Sequence, residues 1–88
     1  MTWKIEFGKE AKRDFAKLDK SVQRKIFQYL NVRVAGAPDP KAFGKPLTHN
    51  LTGLWRYRVG DYRILCKIED DTLTVLVVEI GHRSTIYD

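Results

Sequence analysis

The chain has very little of what builds cross-links or metal centres: one cysteine, Cys66, and two histidines, His49 and His82. A lone thiol cannot close an internal disulfide, and two histidines without cysteine partners form no zinc-ligand pattern, so no metal is expected. Cys66 stands in the apolar run Ile64-Leu65-Cys66-Lys67-Ile68 and reads as a small core residue rather than a nucleophile. GxGxxG, P-loop and HExxH patterns are all missing, which removes support for a nucleotide cofactor or a zinc protease; no cofactor is expected. The longest uncharged apolar stretch, residues 73–78, includes Thr74 and falls far short of the ~20 residues that cross a bilayer. Charges interrupt Met-Thr-Trp-Lys-Ile-Glu-Phe where an export signal needs an unbroken apolar run. The expectation is a soluble, cytoplasmic protein with no membrane partner.

What is present is basic. Lys and Arg number 16 against 11 acids, a formal net charge of +5 over 88 residues. That balance favours a polyanionic partner, although basic small domains are common and the placement of the charges has to decide. Apolar residues make up 43% of the chain, enough for one modest core and a single domain over residues 1–88. Cores of this size supply only about 3–5 kcal/mol, so a bound partner protein would add substantially to stability.

Trp3, Ile5 and Phe7 alternate with polar residues and predict a strand over residues 2–7. After Gly8, Ala11, Phe15 and Leu18 recur at helical spacing, with Lys9, Lys12, Arg13, Asp14 and Lys17 on the other faces. A second helix, capped by Asp19 or Ser21, carries the stripe Val22, Ile26, Tyr29, Leu30 and Val34 and ends at Gly36. Residues 36–53 hold all three prolines and three of the six glycines, and predict a long irregular connection with one short turn near residues 41–43. Strands follow at 54–59, 62–68 and 72–80, joined by turns at Gly60-Asp61 and at 69–71. The order β-α-α-β-β-β predicts an α+β domain: a mixed or mostly antiparallel sheet with a helical hairpin on one face.

The run Leu54-Trp55-Arg56-Tyr57-Arg58-Val59-Gly60-Asp61-Tyr62-Arg63 carries the strongest functional signal. Successive strand residues point to opposite faces, so Arg56 and Arg58 share one face and Trp55, Tyr57 and Val59 the other. With helices over the apolar face, the arginines take the open one, and Arg63 joins them if the hairpin register brings it alongside. Guanidinium groups so placed can hold an RNA phosphate and neutralise the charge that grows during phosphoryl transfer. The alternative is a solvated strand face whose arginines pair with Asp61 or Glu69. Lys45 and His49 precede these strands and either line the same cleft or are simply solvated. The closing segment, Gly81-His82-Arg83-Ser84-Thr85-Ile86-Tyr87-Asp88, is rich in proton-transfer groups. Imidazole titrates near neutrality, whereas a phenol needs neighbouring cations to serve as a base. Metal-free cleavage of RNA is feasible because the 2′-hydroxyl can attack the adjacent phosphate.

A strand, a Lys-rich helical hairpin, "LWRYRVGDYRILCKI" and "VLVVEIGHRSTIYD" together resemble the RelE/ParE toxin superfamily, nearest its RelE branch, over almost the whole chain. The resemblance implies a RelE-like fold and a metal-independent endoribonuclease, an mRNA interferase that cuts mRNA in the ribosomal A site by 2′-hydroxyl attack. It also implies a cognate antitoxin as partner in a type II toxin–antitoxin complex. Carried over by position, Arg56, Arg63, Arg83 and Tyr87 match residues the family associates with catalysis, and Leu54 stands where the family has a second lysine. The general base is then His82 or Tyr87, and the RNA-binding set is Arg56, Arg58, Arg63 and Lys45. Two other readings share the scaffold: a ParE-like gyrase inhibitor without nuclease activity, and an RNA-binding module whose chemistry has decayed.

Overall fold

In the computed structural model the described residues are 3–82; the expectations for Arg83 and Tyr87 lie outside them. The chain runs β1 (Lys4–Phe7), α1 (Lys9–Ala16), α2 (Lys20–Gln28), β2 (Lys45–Pro46), β3 (Leu54–Val59), β4 (Tyr62–Glu69) and β5 (Thr74–His82). One sheet has the order β1-β5-β4-β3-β2, with β1 parallel to β5 and every other neighbour antiparallel. Both helices lie on the same face, as the alternation of the strands requires.

The helical stripes read from the sequence form the upper half of the core. Ala11, Ile26, Leu30 and Val34 are fully buried against Tyr57, Ile64, Cys66, Val75, Val77 and Ile80 of the sheet. The second helix does not stay α-helical to its end: Tyr29–Val34 forms a π turn, closed by the Ala35 N–H donating to the Leu30 carbonyl at 2.8 Å. Gly36 follows because a Cβ there would lie 2.5 Å from the Val32 carbonyl oxygen. Trp3 then donates its N–H to Ala35 at 3.0 Å, tying the first strand to the end of the helical hairpin.

Two departures from the predicted boundaries bear on the site. The connection predicted as irregular contains β2, which pairs Lys45 with Arg56 and Pro46 with Trp55. A two-residue strand offers no alternation to read, and Pro46 is tolerated at a sheet edge because its missing N–H breaks no ladder. The last strand also runs two residues further than expected and contains a bulge. Leu65 pairs with Glu79 while Cys66 pairs with Val77, leaving Val78 without a register partner. The extra residue resets the alternation, so Val77 and Ile80 both face the helices and Glu79 is turned to the open side. Ile80 is fixed in that setting by its N–H, which donates to Asp14 Oδ2 of α1 at 3.1 Å.

Candidate nucleic-acid interface

The β3–β4 hairpin turns through Gly60 and Asp61, with Val59 paired to Tyr62. Gly60 has φ +59 and Asp61 is not in the left-handed region, the pattern of a type II′ turn, whose twist matches that of the strands it joins. This tight turn sets the register for everything on the open face. Arg58 comes to lie directly opposite Arg63, and Arg56 opposite Leu65. Next to Arg63 on β5 stands Gly81, and next to Leu65 stands Glu79. Gly81 itself brings no side chain into the row.

On the other flank, β2 places Lys45 opposite Arg56. Four cationic positions, Lys45, Arg56, Arg58 and Arg63, therefore share the helix-free side of three neighbouring strands. Beneath them Leu65 is only 3% exposed, an apolar floor that lowers the local dielectric and strengthens the field of the cations above it. Cross-strand neighbours sit about 4.5–5.5 Å apart, close enough for two guanidinium groups to grip one phosphate.

β3 is itself anchored from below. Tyr57 is fully buried, donates its hydroxyl to the Pro40 carbonyl at 2.8 Å, and stacks edge-on against Tyr29 with ring centroids 6.3 Å apart. Burial raises the pKa of the Tyr57 phenol well above its ordinary value, so it is a neutral structural donor. The same cause pushes the Cys66 thiol far up, which removes it as a nucleophile and agrees with its expected core role.

His82 is placed differently from the arginines. It pairs with Tyr62 and stacks edge-on against that ring at 5.5 Å. By alternation along β5 it belongs with Ile80 on the helix side, and Arg63 with Gly81 on the open side. The predicted cluster thus comes together for Arg56, Arg58, Arg63 and Lys45, whereas His82 falls on the opposite face at the sheet end.

His49, which the sequence leaves either lining the cleft or simply solvated, has a backbone conformation that residue patterns gave no reason to expect. Its φ is +60, a left-handed conformation uncommon outside glycine and asparagine. The loop holding it, His49–Leu51, forms a groove of about 470 Å³ with Lys45 and Arg56.

Comparison with known proteins bears on this geometry. Residues 5–87 match the family described as ParE toxin of type II toxin-antitoxin system, parDE. The chain belongs to the RelE/ParE toxin family. Among relatives of this family, Toxin RelG of Mycobacterium tuberculosis is 31% identical over 87 residues, covering 99% of this chain and 98% of that protein. The toxin–antitoxin complex RelBE2 from Mycobacterium tuberculosis contains a chain of the same architecture, with a TM-score of 0.86 at 28% identity over 96% of this chain and 94% of that one. The isolated Escherichia coli RelE toxin shares the fold at a TM-score of 0.73 and 21% identity, covering 91% of this chain and 83% of that chain.

Proposed function

We propose that this RelE/ParE family toxin is a metal-independent endoribonuclease that cleaves mRNA on the ribosome, and that a cognate antitoxin holds it silent. The single observation carrying this reading is the register that pairs Arg58 with Arg63 on the open face, with Arg56 and Lys45 in the adjoining row. In the reaction, a base removes the proton of a ribose 2′-hydroxyl and the oxygen attacks the neighbouring phosphorus. The bond to the 5′-oxygen breaks, that oxygen takes a proton, and a 2′,3′-cyclic phosphate remains. Arg56, Arg58 and Arg63 bind the phosphate and stabilise the extra negative charge of the pentavalent state. Arg83 adds to that stabilisation, and Tyr87 acts as the base, a role a phenol fills at neutral pH only where neighbouring cations favour its ionised form. His82 is the weaker choice for the base because its register partner is Tyr62. Antitoxin binding is supported by the similar chain found in the RelBE2 toxin–antitoxin complex.

A second reading is favoured by the matching family description, which names ParE. A ParE-like toxin acting on gyrase would need no catalytic arginines. Induction in cells followed by mapping of mRNA 5′ ends and measurement of DNA supercoiling separates the two. The nuclease reading expects new mRNA ends within minutes and normal supercoiling, with Arg63→Ala or Arg83→Ala relieving growth arrest while the protein stays folded. Intact mRNA with early gyrase-linked DNA damage would establish the other reading.

A further inference from the structure

The two rows of cations on the open face are not equivalent. Arg58 and Arg63 face each other across β3 and β4, with Gly81 as the next residue in their row. Lys45 and Arg56 face each other across β2 and β3, beside the groove walled by the 47–51 loop. One row is displaced from the other by one strand, about 4.8 Å, and by one two-residue step, about 6.7 Å. The two rows are therefore distinct positions, so one phosphate cannot sit in both, and a strand running from one to the other presents a separate phosphate to each.

The groove is also built with effort. His49 holds a left-handed backbone, with φ +60, which L side chains rarely adopt. Local bonds maintain it: Thr52 donates from Oγ1 to the His49 carbonyl at 2.6 Å and from its N–H at 3.1 Å, and Leu51 donates to Thr48 at 3.2 Å. Leu47 donates to Leu54 at 3.0 Å, fastening the loop to β3. His49 Nδ1 lies 3.0 Å from Thr48 Oγ1, which orients the ring and leaves Nε2 for another group. The imidazole is exposed on the wall that Lys45 and Arg56 complete.

We propose that this groove is a second phosphate site. Lys45 and His49, with Arg56 between the two sites, seat the phosphodiester next to the one that reacts, so the protein grips two consecutive phosphates of one RNA strand. The inference rests on the nuclease reading and adds to it the length of strand gripped and a binding role for His49. Fixing the neighbouring phosphate aligns the attacking 2′-hydroxyl with the bond to be broken, because the ribose between two held phosphates has little freedom left.

The test is a substrate-by-protein cycle on mRNA in the ribosomal A site. Neutral methylphosphonate replaces the phosphate on either side of the cleaved one, and single-turnover cleavage is measured for the wild type, Lys45→Ala and His49→Asn; asparagine keeps the left-handed backbone accessible. In the wild type, one of the two replacements is expected to slow cleavage about tenfold, the effect of losing one charge-assisted contact. The same replacement should slow Lys45→Ala and His49→Asn by less than about twofold, since the contact is already weakened. Penalties that simply multiply in both variants, or a wild type indifferent to both replacements, would overturn the second site and leave the nuclease reading standing. A wild type that cleaves no mRNA overturns both.

Discussion

Arg58 and Arg63 lie directly opposite one another across the β3–β4 hairpin, with Gly81 as the next residue in the row. Like charges in that position work against the sheet, and an anion bound between them would relieve the repulsion.

A trade-off between activity and stability follows. Arg63→Ala is expected to lower mRNA cleavage by at least about 10²-fold, the usual cost of removing one group that stabilises transition-state charge. Arg58→Thr should weaken RNA binding yet raise unfolding stability by about 0.2–1 kcal/mol, because it removes one member of a like-charged pair. Cleavage assays beside urea denaturation measure both; an Arg58→Thr protein that is fully active, or clearly less stable, contradicts the role given to the pair.

His82 provides a separate check on the choice of base. Its ring packs edge-on against Tyr62 at 5.5 Å, a contact that phenylalanine can reproduce. His82→Phe should therefore keep cleavage within about threefold of the wild type, whereas Tyr87→Phe should lower it by about 10²-fold or more. If His82→Phe abolishes cleavage while circular dichroism is unchanged, the imidazole is part of the chemistry.

Tyr57→Phe tests the anchor under the arginine strand. Removing the hydroxyl strands the buried Pro40 carbonyl, which now accepts at 2.8 Å, and should cost about 1–3 kcal/mol of stability. The loss should appear as a lower denaturation midpoint with an unchanged m-value. An unaltered midpoint would mean that the bond adds nothing beyond what water supplies.

Alkaline pH should destabilise the fold through two buried groups. Burial raises the pKa of both Tyr57 and Cys66, so each stays neutral in the folded chain while the unfolded chain ionises near its ordinary value. Folded groups with raised pKa give stability that is complete below the unfolded pKa and is lost as pH rises above it. Stability should fall progressively above about pH 8.5–10, at up to about 1.4 kcal/mol per pH unit for each group. Cys66→Ala should lower the stability at neutral pH but make the alkaline decline shallower, which chemical denaturation from pH 7 to 11 would reveal. An equally steep decline in Cys66→Ala would place the titrating group elsewhere.

Asp14 illustrates a role that composition hides. On the helical pattern it is one more solvent-facing charge, yet its Oδ2 accepts the Ile80 N–H across 66 residues of chain. Periodicity reports which face a residue occupies and carries nothing about a partner so distant. The bulge at Val78 was obscured for a related reason: Val77-Val78-Glu79-Ile80 reads equally as one continuous strand, and only pairing with β4 shows where the alternation resets. His49 gave no sign of its left-handed backbone, since the signal for such a turn is glycine or asparagine, and Asn50 is the neighbour that would have drawn attention.

The helical hairpin and the four longer strands, the buried stripe of Ile26, Leu30 and Val34, and the division of Arg56 and Arg58 from Tyr57 were all settled by local periodicity, because helices and strands repeat at fixed spacings along the chain. The family motifs added the expectation of an RNA-cutting toxin. Tertiary structure alone decided that Arg63 meets Arg58, that Lys45 meets Arg56, and that His82 turns away to Tyr62. Those outcomes depend on register, on a two-residue edge strand and on one unpaired valine, which arise only when distant segments hydrogen-bond to each other.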